Sequence, residues 1–211
     1  MIDEKYINLY NNLYESGYHD DDTCHTRWLI ENYVKTYIKP GNAVIDVGCS
    51  TGNALELLTK YDYKVTGVDI SKVAVERCRE RGFPAVVGDT TSISVESNSF
   101  LGLTCTDVLE HVPEDLISRS IVEFCRVVHH DGLMFLQIAK MSEGNRQFDD
   151  ITKEHGFNNL HVTCWPTDKW LEEFSKWNLH VRHMEDQPSM LRVVLQNKIT
   201  PEKLCYFNNR L

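Results

Sequence analysis

The 211-residue chain has no run approaching the roughly 20 consecutive apolar residues that a bilayer span requires, so no membrane span is expected. Its first residues, Met1-Ile2-Asp3-Glu4-Lys5, are charged and lead into no apolar stretch of the kind a secretory signal needs, and a cytoplasmic location is the expectation. The seven cysteines are an odd number, at 24, 49, 78, 105, 125, 164 and 205. None forms a Cys-x-x-Cys pair, which argues against both a disulfide framework and a zinc ribbon. Cys49, Cys105 and Cys125 lie in apolar segments, where a reduced thiol packs as a small hydrophobe. No internal repeat, low-complexity tract or Lys/Arg run is present. The net charge is −9, and an acidic surface repels phosphate backbones, so a nucleic-acid partner is not expected.

What is present is an alternating pattern. Residues 1–39 read as two helices separated by the polar stretch 18–23 and stopped by Pro40-Gly41. Strands are predicted at 43–47, 64–68, 85–87, 100–106 and 133–139, with helices at 54–61, 72–81 and 113–128 between them. Strands alternating with helices indicate βαβ units and a parallel sheet covered on both faces. Residues 140–164 read as irregular, followed by a helix at 167–177 behind Pro166. Runs at 179–184 and 190–195, joined by 185–189, suit an antiparallel hairpin. The fold class is α/β, a Rossmann-like three-layer sandwich with a seven-stranded, mostly parallel sheet and an antiparallel last strand. One domain is expected over 1–211, with an N-terminal helical lid (1–39), a ligand-binding core (40–140), and acceptor-side elements with the C-terminal hairpin (141–211). The tail from Asn197, with Leu204, Tyr206 and Phe207 in no clear period, is left open between docking, dimerisation and mobility; either a monomer or a homodimer fits.

The most informative segment is Val44-Ile45-Asp46-Val47-Gly48-Cys49-Ser50-Thr51-Gly52-Asn53, a strand running into a glycine turn with a helix behind it. At the carboxyl edge of an open α/β sheet this is where ligands bind. Gly48 and Gly52 let the chain turn sharply and let a ligand approach where a Cβ would collide. A dinucleotide fingerprint would need glycine at 50 and 53, where Ser50 and Asn53 stand. An acid before the turn with glycines four residues apart instead resembles class I S-adenosylmethionine-dependent methyltransferases, of the ubiquinone-type O-methyltransferase kind. The resemblance continues in Gly67-Val68-Asp69-Ile70, in Val87-Gly88-Asp89-Thr90, and in Thr106-Asp107-Val108-Leu109-Glu110-His111-Val112-Pro113.

The resemblance implies S-adenosylmethionine as cofactor, with S-adenosylhomocysteine as product. It places Asp69 on the ribose hydroxyls and Asp89 on the adenine amino group, with Ile70 and Thr90 beside them. Asp46 would organise the loop and reach the methionine amino group, with Gly48, Ser50 and Gly52 of that loop against the cofactor. Arg27 would pair with the methionine carboxylate, and Thr106 and Asp107 would line the cleft. Ser50 departs from the family, where glycine is common.

Methyl transfer needs a base only when the acceptor loses a proton, and histidine suits that task. The candidate catalytic residues are His111 and His161, with His155 behind them. His129-His130 read as structural, at a helix end. Some relatives hold a divalent ion with Glu-x-x-Glu-His and a distant histidine. If a metal is present here, Asp107, Glu110, His111 and His161 would hold it, but the first acid is Asp, and metal-free relatives share this local sequence. The metal-free reading is preferred. Trp165, Trp170, Phe174 and Trp177 fall at helical spacing and read as core, with Trp165 the one expected to reach the acceptor; Tyr14 and Tyr18 would belong to the lid. The expected acceptor is a small molecule or glycan precursor, methylated at oxygen. An Asn/Asp-Pro-Pro-Tyr motif, typical of amino methylation, is absent after the fourth strand. The alternatives are a metal-assisted RNA 2′-O-methyltransferase and a non-catalytic cofactor-binding module.

Overall fold

A computed structural model describes residues 2–18, 24–140, 149–200 and 203. The stretch 19–23 and the tail residues Leu204, Tyr206 and Phe207 lie outside these. Seven strands form one sheet in the order β3-β2-β1-β4-β5-β7-β6. They are β1 (Ala43–Val47), β2 (Lys64–Asp69), β3 (Ala85–Val87), β4 (Phe100–Thr106), β5 (Val128–Ala139), β6 (Leu179–Asp186) and β7 (Met190–Asn197). The first five are parallel, and β7 runs antiparallel between β5 and β6. This is the expected Rossmann-like arrangement.

Helices cover both faces, and alternation along the strands feeds both. Val44 and Phe135 pack with α2 (Arg27–Leu29), the π-helical turn Ile30–Val34 that continues it, and α4 (Asn53–Lys60). Ile45, Met134 and Leu136 face the opposite layer, built from α6 (Glu114–Val127) and α8 (Thr167–Lys176). α3 (Lys35–Tyr37) ends the first helical run, and α5 (Lys72–Glu80) lies against β2 and β3. Ser71 caps α5, its Oγ accepting from Ala74 N at 3.3 Å, while Pro113 and Pro166 stand at the N-caps of α6 and α8.

Two segments differ from the sequence reading. β5 begins at Val128 directly after α6, so His129 and His130 lie in a strand and not at a free helix end. His130 Nδ1 donates to Ile199 O at 3.2 Å, which keeps it structural. Part of the segment read as irregular forms α7 (Asp149–Glu154). The separate helix α1 (Glu4–Glu15) buries Leu9 and Leu13 against Phe157 and Leu160, and it lies across the carboxyl edge of the sheet.

Candidate functional site

A cavity of about 690 Å³ opens at that edge. Its floor is the set of turns that follow β1 to β5; its roof carries Tyr6, Tyr10, Tyr14 and Tyr18. The turn after β1 uses three residues in the left-handed region: Gly48 (φ 78°), Ser50 (φ 52°) and Gly52 (φ 94°). A Cβ on Gly48 would lie 2.2 Å from Val108 Cγ2. The glycine therefore makes room for the turn after β4, so the collision it avoids is with protein. Gly52 does not line the cavity; a Cβ there would meet Cys78 Sγ at 3.2 Å and Phe83 at 3.3 Å behind the loop. Ser50 tolerates its position because its N–H donates to Asp69 Oδ2 at 2.9 Å, tying the first turn to the second.

Three acids stand at the carboxyl ends of β1, β2 and β3: Asp46 in β1, Asp69 closing β2 and Asp89 just after β3. Asp46 is 2% exposed and accepts from Thr104 Oγ1 at 2.6 Å; burial lifts its carboxyl to about 7. Asp69 also accepts from Ser71 N at 2.9 Å, and burial lifts it to about 6. Asp89 accepts from Thr91 N at 2.6 Å and from Ile2 N at 3.4 Å. Each carboxylate is thus pinned by a backbone N–H or a hydroxyl and still borders the cavity. Ile70 and Thr90 border it as well, but the Thr90 hydroxyl is engaged with Ser120 at 2.7 Å in the core.

The turn after β4 supplies the other half. Thr106 Oγ1 and Glu110 Oε2 are buried without a hydrogen-bond partner among the described residues. Such groups are costly unless something else satisfies them, which marks this wall as built for a polar ligand. Glu110 Oε1 accepts from Ala139 N at 3.1 Å; burial, and then Asp107, raise its carboxyl to about 8. His111 Nδ1 lies 2.9 Å from Leu160 O. A carbonyl only accepts, so Nδ1 carries the proton and Nε2 of the neutral ring keeps its lone pair. Burial, helped by His161, lowers the ring to about 4. His161 stacks edge-on against it with ring centres 4.8 Å apart.

Glu110, His111 and His161 each bring one donor atom within 4.8 Å of the others. Asp107 is not in this group, because both its oxygens are turned to Gln137 Nε2 at 3.2 Å. The four-residue ligand set foreseen for a metal is therefore a set of three. Arg27 does not border the cavity; it pairs with Glu31 at 3.2 Å on an exposed helix face, while its neighbours His25 and Thr26 do border it. Trp165 packs in the core against Trp170 with centres 4.7 Å apart and does not reach the cavity. His155 ties α7 to α1 through Asn12 at 2.6 Å. Tyr6 and Tyr10 were missed, although 6, 10, 14 and 18 recur at the four-residue spacing that stacks side chains on one helix face. No Lys or Arg borders the cavity among the described residues.

This architecture has relatives. A family model described as "Methyltransferase domain" matches residues 45–136. The chain is 29% identical over 112 residues to the mouse "Probable tRNA methyltransferase 9B", covering 53% of this chain and 25% of that protein. It is 32% identical over 107 residues to the "Ubiquinone biosynthesis O-methyltransferase" of Actinobacillus pleuropneumoniae, covering 45% and 44% respectively. The chain thus spans between a quarter and a half of these curated relatives. The solved PH0226 protein of Pyrococcus horikoshii shares the fold with a TM-score of 0.66 at 19% identity, covering 93% of this chain and 97% of that one.

Proposed function

We propose that this chain, which carries a class I S-adenosylmethionine-dependent methyltransferase domain, transfers the cofactor's methyl group to a hydroxyl oxygen of a small molecule or glycan precursor. The reading rests on one observation above the rest. A single cavity joins the acids after β2 and β3, suited to an adenosine, to the Glu110–His111–His161 cluster at its other end.

In this reading Asp89 and Thr90 frame the adenine, Asp69 accepts from the ribose hydroxyls, and Ile70 packs beside the ring. Asp46 and the Gly48–Gly52 turn shape the wall facing the methionine part. Thr106 Oγ1, buried and unsatisfied by protein, offers a further hydrogen bond there. S-adenosylmethionine supplies a methyl group on a positively charged sulfur, which makes that carbon the electrophile. The protein positions the acceptor oxygen in line with it.

His111 is the proton acceptor. Its Nε2 lone pair accepts a hydrogen bond from the acceptor hydroxyl and so fixes where the oxygen's two lone pairs point. An alcohol is a far weaker acid than an imidazolium whose pKa is near 4, so the ring does not deprotonate it beforehand. With the cofactor bound, the new O–C bond would form as the S–C bond breaks and S-adenosylhomocysteine leaves, so the oxygen would gain positive charge and its proton would become strongly acidic. At that moment even a weak base takes it, and the proton passes to Nε2. His161 stands edge-on to receive or relay it. Glu110, neutral at pH 7 by its raised pKa, can donate from Oε2 toward the same region. The tyrosines of α1 roof the site and exclude water.

The tRNA methyltransferase relatives favour a second reading, an RNA acceptor. The absence of Lys and Arg from the described cavity lining weighs against it, because a phosphate would meet the acids Asp46, Asp69, Asp89 and Asp107 with no Lys or Arg to pair with. The first test is titration calorimetry with S-adenosylhomocysteine, expected to show one site per chain. The second is transfer of labelled methyl from S-adenosylmethionine to a panel of phenols, sugars and alcohols. His111→Ala should abolish transfer and leave cofactor binding intact. Binding without turnover on any acceptor, RNA included, would point to the non-catalytic module; no binding would remove the proposal.

A further inference from the structure

A polar row crosses the sheet behind the cavity. Thr106 of β4 pairs with Gln137 of β5, Gln137 with Arg192 of β7, and Arg192 with Glu185 of β6. Side chains of directly paired residues share a face, and from Gln137 to Glu185 the row is hydrogen-bonded. Arg192 Nε donates to Gln137 Oε1 at 2.7 Å, and Arg192 Nη1 donates to Glu185 Oε2 at 3.3 Å. Tyr33 OH donates to the other Glu185 oxygen at 2.6 Å, and the guanidinium lies 4.2 Å from the centre of the Trp28 ring. Polar side chains in a largely apolar layer cost desolvation free energy and are weak contributors to stability compared with apolar residues of the same size. Their order, however, has a direction.

Arginine has no acceptor. The Gln137 side-chain oxygen must therefore face Arg192, and its NH2 group must face the other way. There it meets both oxygens of Asp107, each 3.2 Å from Nε2. Gln137 also accepts the Asp107 backbone N–H at 3.0 Å through its own carbonyl, holding Asp107 in the left-handed region at φ 54°. Asp107 lines the cavity; Gln137 and Arg192 do not.

We propose that Gln137, oriented by Arg192, is a positioning residue that aims the Asp107 carboxylate at the α-ammonium group of the bound cofactor. This rests on the reading of the cavity given above. Strand order supplies the assignment. The adenosine acids follow β3 and β2, and three strand spacings separate β3 from β4, about 14 Å. A ligand anchored by its adenine at Asp89 and laid along the strand ends brings its amino-acid end over β4, where Asp107 stands. A carboxylate there complements an ammonium, and Gln137 fixes its plane without adding charge. His25, His161, Arg192, Glu110 and Tyr18 are the other ionisable groups that act on Asp107 from the surrounding elements.

The test separates the two ends of the ligand. S-adenosylhomocysteine carries the amino acid, and 5′-methylthioadenosine lacks it. Gln137→Leu and Arg192→Met should each weaken S-adenosylhomocysteine, the first by about tenfold or more, as expected for losing a hydrogen bond to a charged group. Both should leave methylthioadenosine within about twofold. Asp107→Asn should show the same selectivity, and adding Gln137→Leu to it should cost little more, because the two act as one unit. Equal losses for both ligands, or unchanged S-adenosylhomocysteine affinity in a folded Gln137 or Arg192 variant, would overturn the positioning role while the parent's binding upheld the cavity reading. A parent that binds neither compound would end both. Should Gln137→Leu fail to fold, Arg192→Met alone decides, since it removes the orienting donor without touching Asp107.

Discussion

At the scale of single residues, burial decides the behaviour of the acids around the cavity. Asp46 lies in the otherwise apolar strand β1 and borders the cavity, where Thr104 donates to it and Asp69 nearby adds to the upward shift. The unfolded carboxyl titrates near about 4, the folded one near about 7. The folded state therefore holds this proton more tightly, and its stability falls as pH rises through that window, the full penalty standing above pH 7. An asparagine in place of Asp46 would keep the acceptor that Thr104 needs and carry no charge. The stability of Asp46→Asn relative to the parent should rise between pH 5 and pH 8 by about 1 kcal/mol or more, roughly 2–4 °C. Asp69 shifts in the same direction and repels Asp46, so the difference reports the Asp46 charge together with its repulsion of Asp69. Parallel melting curves from pH 5 to 8 would refute the account.

Among the elements, α1 stands apart from the sheet. Its buried residues Leu9 and Leu13 join Phe157 and Leu160 in a small cluster of their own. Polar ties hold it elsewhere: Ser71 Oγ to Asn11 Oδ1 at 2.8 Å, and Arg77 Nη2 to Tyr14 O at 2.8 Å, both from the cofactor side. An element with few apolar anchors opens at lower free energy than the core. Leu13→Ala should raise hydrogen exchange across α1 and leave β1, β4 and β5 protected, with S-adenosylhomocysteine slowing α1 again. Exchange rising equally in the sheet would show that α1 belongs to the main cooperative unit. The same contrast explains what the sequence made legible. Central strands such as Ala43–Val47 and Phe100–Thr106 are buried on both faces, so their apolar runs announce them, and the acids at their ends sit where the turn chemistry requires. Arg27 and Trp165 were misplaced because neighbouring residues on a helix or helix cap point in different directions. One step separates Thr26, which borders the cavity, from Arg27, which faces solvent. The Gln137–Arg192 row was invisible for another reason: it exists only once β4, β5, β7 and β6 are in register, and those two residues are 55 positions apart.

For the molecule as a whole, charge bears on the proposed partner. The chain carries −9, and the acids Asp46, Asp69, Asp89 and Asp107 border one cavity, with the neutral Glu110 beside them and no Lys or Arg among the described lining residues. A polyanion gains affinity chiefly by releasing counterions to basic side chains, and each phosphate contact steepens the fall of affinity with salt. An acidic protein with an acidic site has little to offer that exchange. A sulfonium or a neutral hydroxyl compound faces the opposite situation, since negative potential attracts the first and does not repel the second. Fluorescence anisotropy with tRNA and with short single-stranded RNA should therefore show no specific binding at about 150 mM salt, while S-adenosylhomocysteine affinity changes little between about 50 and 300 mM. Tight tRNA binding with a steep negative salt slope would place basic contacts on surfaces remote from this cavity and would move the acceptor from small molecules to RNA. In that case His111 would keep its proposed role as proton acceptor, because a ribose 2′-hydroxyl would meet the same Nε2 lone pair as any other alcohol.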